Sequence, residues 1–125
     1  MPGAIVHLIT GCMMFFIGRY YFKSYFDGKD KLKEKILLAI VCITFTFIPD
    51  FFLITYYSTH IVSFQMLVPY HELLHILCFP IAITSLITLK YVVNTKRTLI
   101  WIMGSWCILL HLTMDLFIEE YNLWI

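Results

Sequence analysis

Charged side chains are scarce in this sequence. They make up 14% of the 125 residues, and neither sign prevails, because the formal net charge is only +1. A soluble domain carries about 25% charged residues and roughly 45–50% apolar ones, whereas 61% of this chain is hydrophobic and its mean hydropathy is +0.84. So few charges cannot cover so much apolar surface in water. An ordinary cytosolic enzyme and a disordered chain are excluded on that ground. A nucleic-acid binder is excluded because there is no basic footprint for phosphates. Cysteine is also sparse. Cys12, Cys42, Cys78 and Cys107 are far apart and form no CxxC pair, so neither a disulfide framework nor a thiolate zinc site is indicated. They read as small buried hydrophobes. Cys78 and Cys107 each lie one turn from a histidine, which leaves a ligand role open for either.

What the chain does have is long apolar runs. A membrane span needs about 20 mostly apolar residues. Four stretches qualify, at about residues 2–22, 35–57, 69–93 and 99–117. Short hydrophilic joints separate them, so the expected fold is a single all-α transmembrane domain over residues 1–125, an integral membrane four-helix bundle with up-down-up-down order. The first stretch has no basic region ahead of its apolar run and no clear small-residue cleavage site, so it reads as a span and not as a signal peptide.

The nine basic residues sharpen the topology. Arg19, Lys23, Lys29, Lys31, Lys33 and Lys35 fall at the joint between stretches one and two; Lys90, Lys96 and Arg97 fall between three and four. The middle joint and both ends have none. Short basic loops stay in the cytoplasm, so both termini and the middle loop are expected outside, in a multi-pass protein of the cell membrane with lipids as its neighbours. The run from Lys29 to Lys35 reads as a solvated loop that enforces this topology before it reads as a lipid head-group patch. Tyr56, Tyr57, Tyr70, Tyr121 and Trp124 read as the outer aromatic belt.

Ionisable side chains inside apolar stretches are costly and mark functional sites by default. Here they are His7, Asp50, His71, Glu72, His75, His111 and Asp115. In an antiparallel bundle all of them reach one level near the outer face, and the cytoplasmic half receives none. His60 falls in the outer loop and reads as solvated. Two pairs have i, i+4 spacing, His71 with His75 and His111 with Asp115, which places each pair on one helix face about 6 Å apart. Such pairs bind one metal ion or flank two, and imidazole with carboxylate suits zinc or another first-row divalent ion. Unpaired, these groups would each need a hydrogen-bond partner in a low-dielectric bundle. His71-Glu72-Leu73-Leu74-His75 also reads HExxH, two imidazoles with a carboxylate beside them.

Taken in order, Met1-Pro2-Gly3-Ala4-Ile5-Val6-His7, Pro49-Asp50, the His-rich start of the third stretch and His111-Leu112-Thr113-Met114-Asp115 resemble the predicted membrane-bound metal-dependent hydrolases, the LexA-regulated inner-membrane hydrolase family. That family is distantly similar to zinc-dependent phospholipase C and the single-strand-specific zinc nucleases. The resemblance implies metal ligands at His7, Asp50, His75, His111 and Asp115, with His71 close by. The further ligands of the soluble zinc phospholipases are not found in this sequence, so one or two ions are expected and not three. Where the family often carries a second Asp after Pro-Asp, this chain has Phe52; Glu72 and Ile76 stand where it often has Arg and Ser.

The expected function is metal-dependent hydrolysis of a phosphoester or other lipid-like substrate. In that reading Asp50 or Glu72 takes the proton from the attacking water. Two alternatives remain at this point. One is an intramembrane HExxH zinc metallopeptidase, with Glu72 as the base and His111 or Asp115 as third ligand. The other is a non-catalytic membrane protein whose metal is structural, or a small subunit of a larger membrane complex.

Overall fold

The computed structural model describes residues 4–28, 31–93, 95 and 97–117. The opening Met1–Gly3, Lys29, Lys96 and the aromatic residues Tyr121 and Trp124 lie outside the described residues. Within them every regular element is helical. The helices are α1 (Ala4–Tyr21), α2 (Lys23–Phe26), α3 (Leu32–Phe47), α4 (Phe51–Thr59), α5 (Phe64–Ile87) and α6 (Thr98–Phe117); a π-helical stretch, Thr88–Val93, continues α5.

Among the described residues three helices are long and apolar enough to cross a membrane, Ala4–Tyr21, Phe64–Val93 and Thr98–Phe117, or four if the bent pair Leu32–Phe47 and Phe51–Thr59 is one span. The expected second span departs from expectation. The sequence predicts one helix over 35–57, but the stretch breaks into α3 and α4, which are bent by 85° to each other. Pro49 supplies the reason. It has no N–H to give the carbonyl four residues back, and its ring clashes with that turn. Asp50 N and Phe51 N therefore reach only three residues back, to the Phe47 and Ile48 carbonyls, both at 3.1 Å. Pro69 and Pro80, by contrast, lie within α5 without ending it.

Side-chain contacts give the direction of each helix. Gly11 of α1 faces Ile43 and Cys42 of α3, and Gly18 faces Leu38 of α3 and Met103 of α6. Thus α1 runs antiparallel to both. Gly104 of α6 lies against Val41 and Phe45, and His111 meets Thr46, so α6 runs parallel to α3. His75 of α5 meets Asp115 of α6, and further along α5 Cys78 and Ala82 cluster with Ile108, so α5 is antiparallel to α6. The α6 helix is the hub: it packs against α1, α3 and α5, whereas α5 rests mainly on α6 and α4. This is a three-helix core with α5 docked on one side, not a square of four equal helices.

Two apolar clusters fill the interior. Phe26, Leu38, Val41, Cys42, Ile100, Met103 and Cys107 form the larger, between α3 and α6. Cys78, Ala82 and Ile108 form the smaller. All four cysteines are free. Cys42, Cys78 and Cys107 belong to these clusters and hold no place at the polar site. Outside, large apolar side chains such as Ile5, Phe16, Ile76, Val92 and Leu116 are exposed. Only His71, Cys78 and Ala82 are buried among the 24 residues of α5. Apolar exposure on that scale suits lipid as the surrounding solvent.

A candidate metal centre

The site is assembled where the Pro49 break meets α1, α5 and α6. Asp50 sits at the N-cap position of α4, where an aspartate normally caps the first turn. Its carboxylate makes no cap hydrogen bond. It is fully buried and turned toward four imidazoles instead. His7 Nε2 lies 3.2 Å from Asp50 Oδ2. Facing Asp50 Oδ1 are His75 Nε2 at 3.6 Å, His111 Nε2 at 3.6 Å and His71 Nδ1 at 3.8 Å.

Asp115 closes the other side. Its Oδ2 is 2.7 Å from His75 Nε2 and 2.9 Å from His111 Nε2, and the two Nε2 atoms are 3.3 Å apart. One donor atom from each of Asp50, His75, His111 and Asp115 falls within 4.8 Å of all the others.

The outward-facing ring nitrogens decide what this cluster can hold. His75 Nδ1 lies 3.0 Å from the His71 carbonyl oxygen, and His111 Nδ1 lies 2.7 Å from the Thr46 carbonyl oxygen. A carbonyl oxygen only accepts, so each Nδ1 carries the proton and donates it. In the neutral rings both Nε2 lone pairs then point at each other and at the Asp115 carboxylate. Three lone-pair atoms 2.7–3.3 Å apart repel unless a cation or a proton lies among them; one ring protonated at Nε2 would donate to Asp115 Oδ2 and leave the other Nε2 as a lone pair beside it. Protonating both rings would replace that repulsion with two N–H groups face to face. A metal ion satisfies all of the atoms at once. Donors about 2.0–2.1 Å from a tetrahedral zinc sit about 3.3 Å from each other; the 3.3 and 3.6 Å separations agree with that spacing, whereas the 2.7 and 2.9 Å contacts of Asp115 have hydrogen-bond length and would open on metal binding. The Nδ1-to-carbonyl bonds are the outer-shell device that fixes a ligand's tautomer. Asp50, His75, His111 and Asp115 are a donor set that could hold a metal ion.

Thr46 was not singled out by sequence reasoning, although the signal was present. In an unbroken helix the Thr46 carbonyl would accept from Asp50 N. With Pro49 in the way, Asp50 N bonds to Phe47 instead, and the freed Thr46 oxygen takes His111. One proline thus turns Asp50 inward and orients its neighbour.

The remaining candidates fall around the quartet. His7 is fully buried, paired with Asp50, and stacked on the His111 ring at 4.3 Å between centroids. His71 is buried next to Asp50 but too far for a hydrogen bond, and its side chain is not one of the quartet. Of the expected i, i+4 pairs, then, His111/Asp115 contributes both members and His71/His75 contributes one. Glu72 is exposed on α5 and does not join the cluster; one residue on from His71, it is turned about 100° around the helix. His60 is exposed at the end of α4, as expected.

No protein-family model matches this chain, and no curated protein or solved structure matches it either.

Proposed function

We propose that this protein is an integral membrane metal-dependent hydrolase, with a divalent ion of zinc type held by Asp50, His75, His111 and Asp115. In this reading α3 and α4 together make the second of four passes in up-down-up-down order, with both termini outside. The basic residues support that orientation: Arg19 ends α1, Lys33 and Lys35 begin α3, and Lys90 follows α5. The resemblance to the membrane-bound metal-dependent hydrolases belongs to this proposal, as does a phosphoester or other lipid-like substrate. Bound to such a site, a divalent ion acidifies water and polarises an ester oxygen.

The chain's own residues supply the rest. Asp50 Oδ1 faces the His75 and His111 ring nitrogens and Oδ2 lies 3.2 Å from His7 Nε2; in this reading Asp50 is the carboxylate that takes the proton from attacking water. His7, stacked on His111, orients that carboxylate. Glu72 takes no part, and its exposure argues against the metallopeptidase.

A structural clamp is the second reading, because four protein donors are enough to close a tetrahedral site. One observation favours catalysis. The quartet is not sealed: His75 and Asp115 side chains are 16% and 11% exposed, while Asp50 and His111 are at 0%. The test is hydrolysis of extracted membrane lipids by purified protein, before and after chelation and after zinc is restored. Chelator-sensitive, zinc-rescued turnover is the expected result. Stoichiometric metal with loss of thermal stability on chelation, and no turnover on any ester, would establish the clamp instead.

A further inference from the structure

The exposed side of the quartet opens into a groove of about 270 Å³ between α5 and α6, lined by His75, Ile76, Phe79, Leu112, Asp115 and Leu116. His75 and Asp115 are its polar end. The other four residues are apolar, and three of them are strongly exposed: Ile76 by 69%, Phe79 by 55% and Leu116 by 80%. The groove therefore faces the medium that surrounds the helices and ends on two of the four metal-binding side chains.

Its direction matters. The side chain of Phe79 stands one turn beyond His75, away from the N-terminus of α5 and so toward the middle of that 30-residue helix. At 1.5 Å per residue, the helix with its extension spans about 45 Å, more than the roughly 30 Å hydrocarbon core. A chain lying along the groove from His75 past Phe79 thus points from the nearer surface toward the bilayer centre, the way an amphiphile's tail points. The lining also excludes an extended peptide segment, and one helical turn of groove is too small for a helix. A backbone in the groove would bring N–H and C=O groups that only His75 and Asp115 could answer, and unanswered backbone groups are not tolerated in hydrocarbon. An alkyl or isoprenoid tail has none to answer.

We propose that this groove is a subsite for the hydrocarbon tail of one membrane amphiphile, whose oxygen-bearing head group reaches the quartet laterally from the lipid. The proposal rests on the hydrolase reading of the quartet and names its substrate class: single molecules drawn from the membrane, not soluble esters and not peptides.

The experiment uses the full chain in nanodiscs with dodecyl phosphate carrying a diazirine near the head-group end of its chain, within about one helical turn of the phosphate. Two variants block the groove, Leu116→Trp and Ile76→Trp. Both positions are exposed, so both variants keep the fold, which thermal melting verifies. Photolabel is expected to concentrate on Phe79 and its groove neighbours. Each tryptophan should lower that labelling roughly tenfold, the loss of about two buried methylene groups. Excess unlabelled dodecyl phosphate should compete, and a hydrophobic helical peptide should not. Labelling spread evenly over exposed positions such as Ile5 and Phe16 overturns the proposal, as does undiminished labelling in both variants or competition by the peptide. Zinc content is measured on the same samples. Zinc present with scattered label sinks the groove alone; label in the groove with no zinc sinks the metal centre and leaves the tail subsite standing.

Discussion

His75 Nε2 and His111 Nε2 face each other across 3.3 Å, each with its Nδ1 tied to a main-chain carbonyl. Both rings are thereby turned so that their lone pairs converge. Purified protein is expected to hold about one zinc ion per chain by elemental analysis. His75→Ala and His111→Ala should each lose it, while His60→Ala, altering an exposed residue at the end of α4, should retain it in full. Equal zinc in all three variants would mean that the ion, if bound, sits elsewhere.

The two carboxylates once equally eligible as base now separate. Glu72 is exposed, whereas Asp50 is buried among imidazoles. Glu72→Gln should leave zinc content and any ester turnover at the level of the unchanged protein. Asp50→Asn should abolish turnover, since an amide accepts no proton from water and does not balance the ion's charge. Zinc content and initial rates on one lipid preparation check both. A dead Glu72→Gln variant that still holds zinc would revive the peptidase reading.

The positions of His7, Asp50, His75, His111 and Asp115 were legible in the sequence because apolar stretches expose every ionisable group as an anomaly, and alternating helix directions bring those groups to one level. The helices themselves were legible from their length and hydropathy. The partition of roles was not. His71 and His75 look equivalent by spacing, but only His75 reaches Asp115 and His111 across to α6, while His71 lends its carbonyl to the His75 ring within α5. HExxH drew attention to Glu72, although a residue next to His71 must point elsewhere on a helix. The 85° turn at Pro49 was also hidden. Proline alone does not break a helix, as Pro69 and Pro80 demonstrate inside α5. Here it coincides with an aspartate whose burial depends on the turn.

Close packing between α3 and α6 holds the site's two sides in register, and Gly104 permits it. A Cβ at that position would stand 2.7 Å from Phe45 and 2.8 Å from Val41. Val41 is stiff about χ1 in a helix, so the helices must part. Gly104→Ala should destabilise the protein by about 1–3 kcal/mol through overpacking, against a helix-propensity gain of about 1 kcal/mol. The net effect is a lower melting temperature in detergent. A raised melting temperature would show that the two helices have room to spare.

Pro49→Ala tests the link between the broken helix and the metal. Alanine restores an N–H and removes the ring clash, so α3 can continue through residue 50. Asp50 N would then reclaim the Thr46 carbonyl, which now accepts from His111 Nδ1 at 2.7 Å. His111 would lose the bond that fixes its tautomer, and the Asp50 carboxylate would rotate with its backbone. Loss of such an outer partner lowers metal affinity about 10–100-fold. The melting temperature of the zinc-free protein should hold or rise, because the helix is more regular. Competition titration with a zinc chelator reads the affinity, and melting curves without metal read the fold. If affinity is unchanged while the helix straightens, the proline shapes the bundle but not the centre, and the freed carbonyl is incidental.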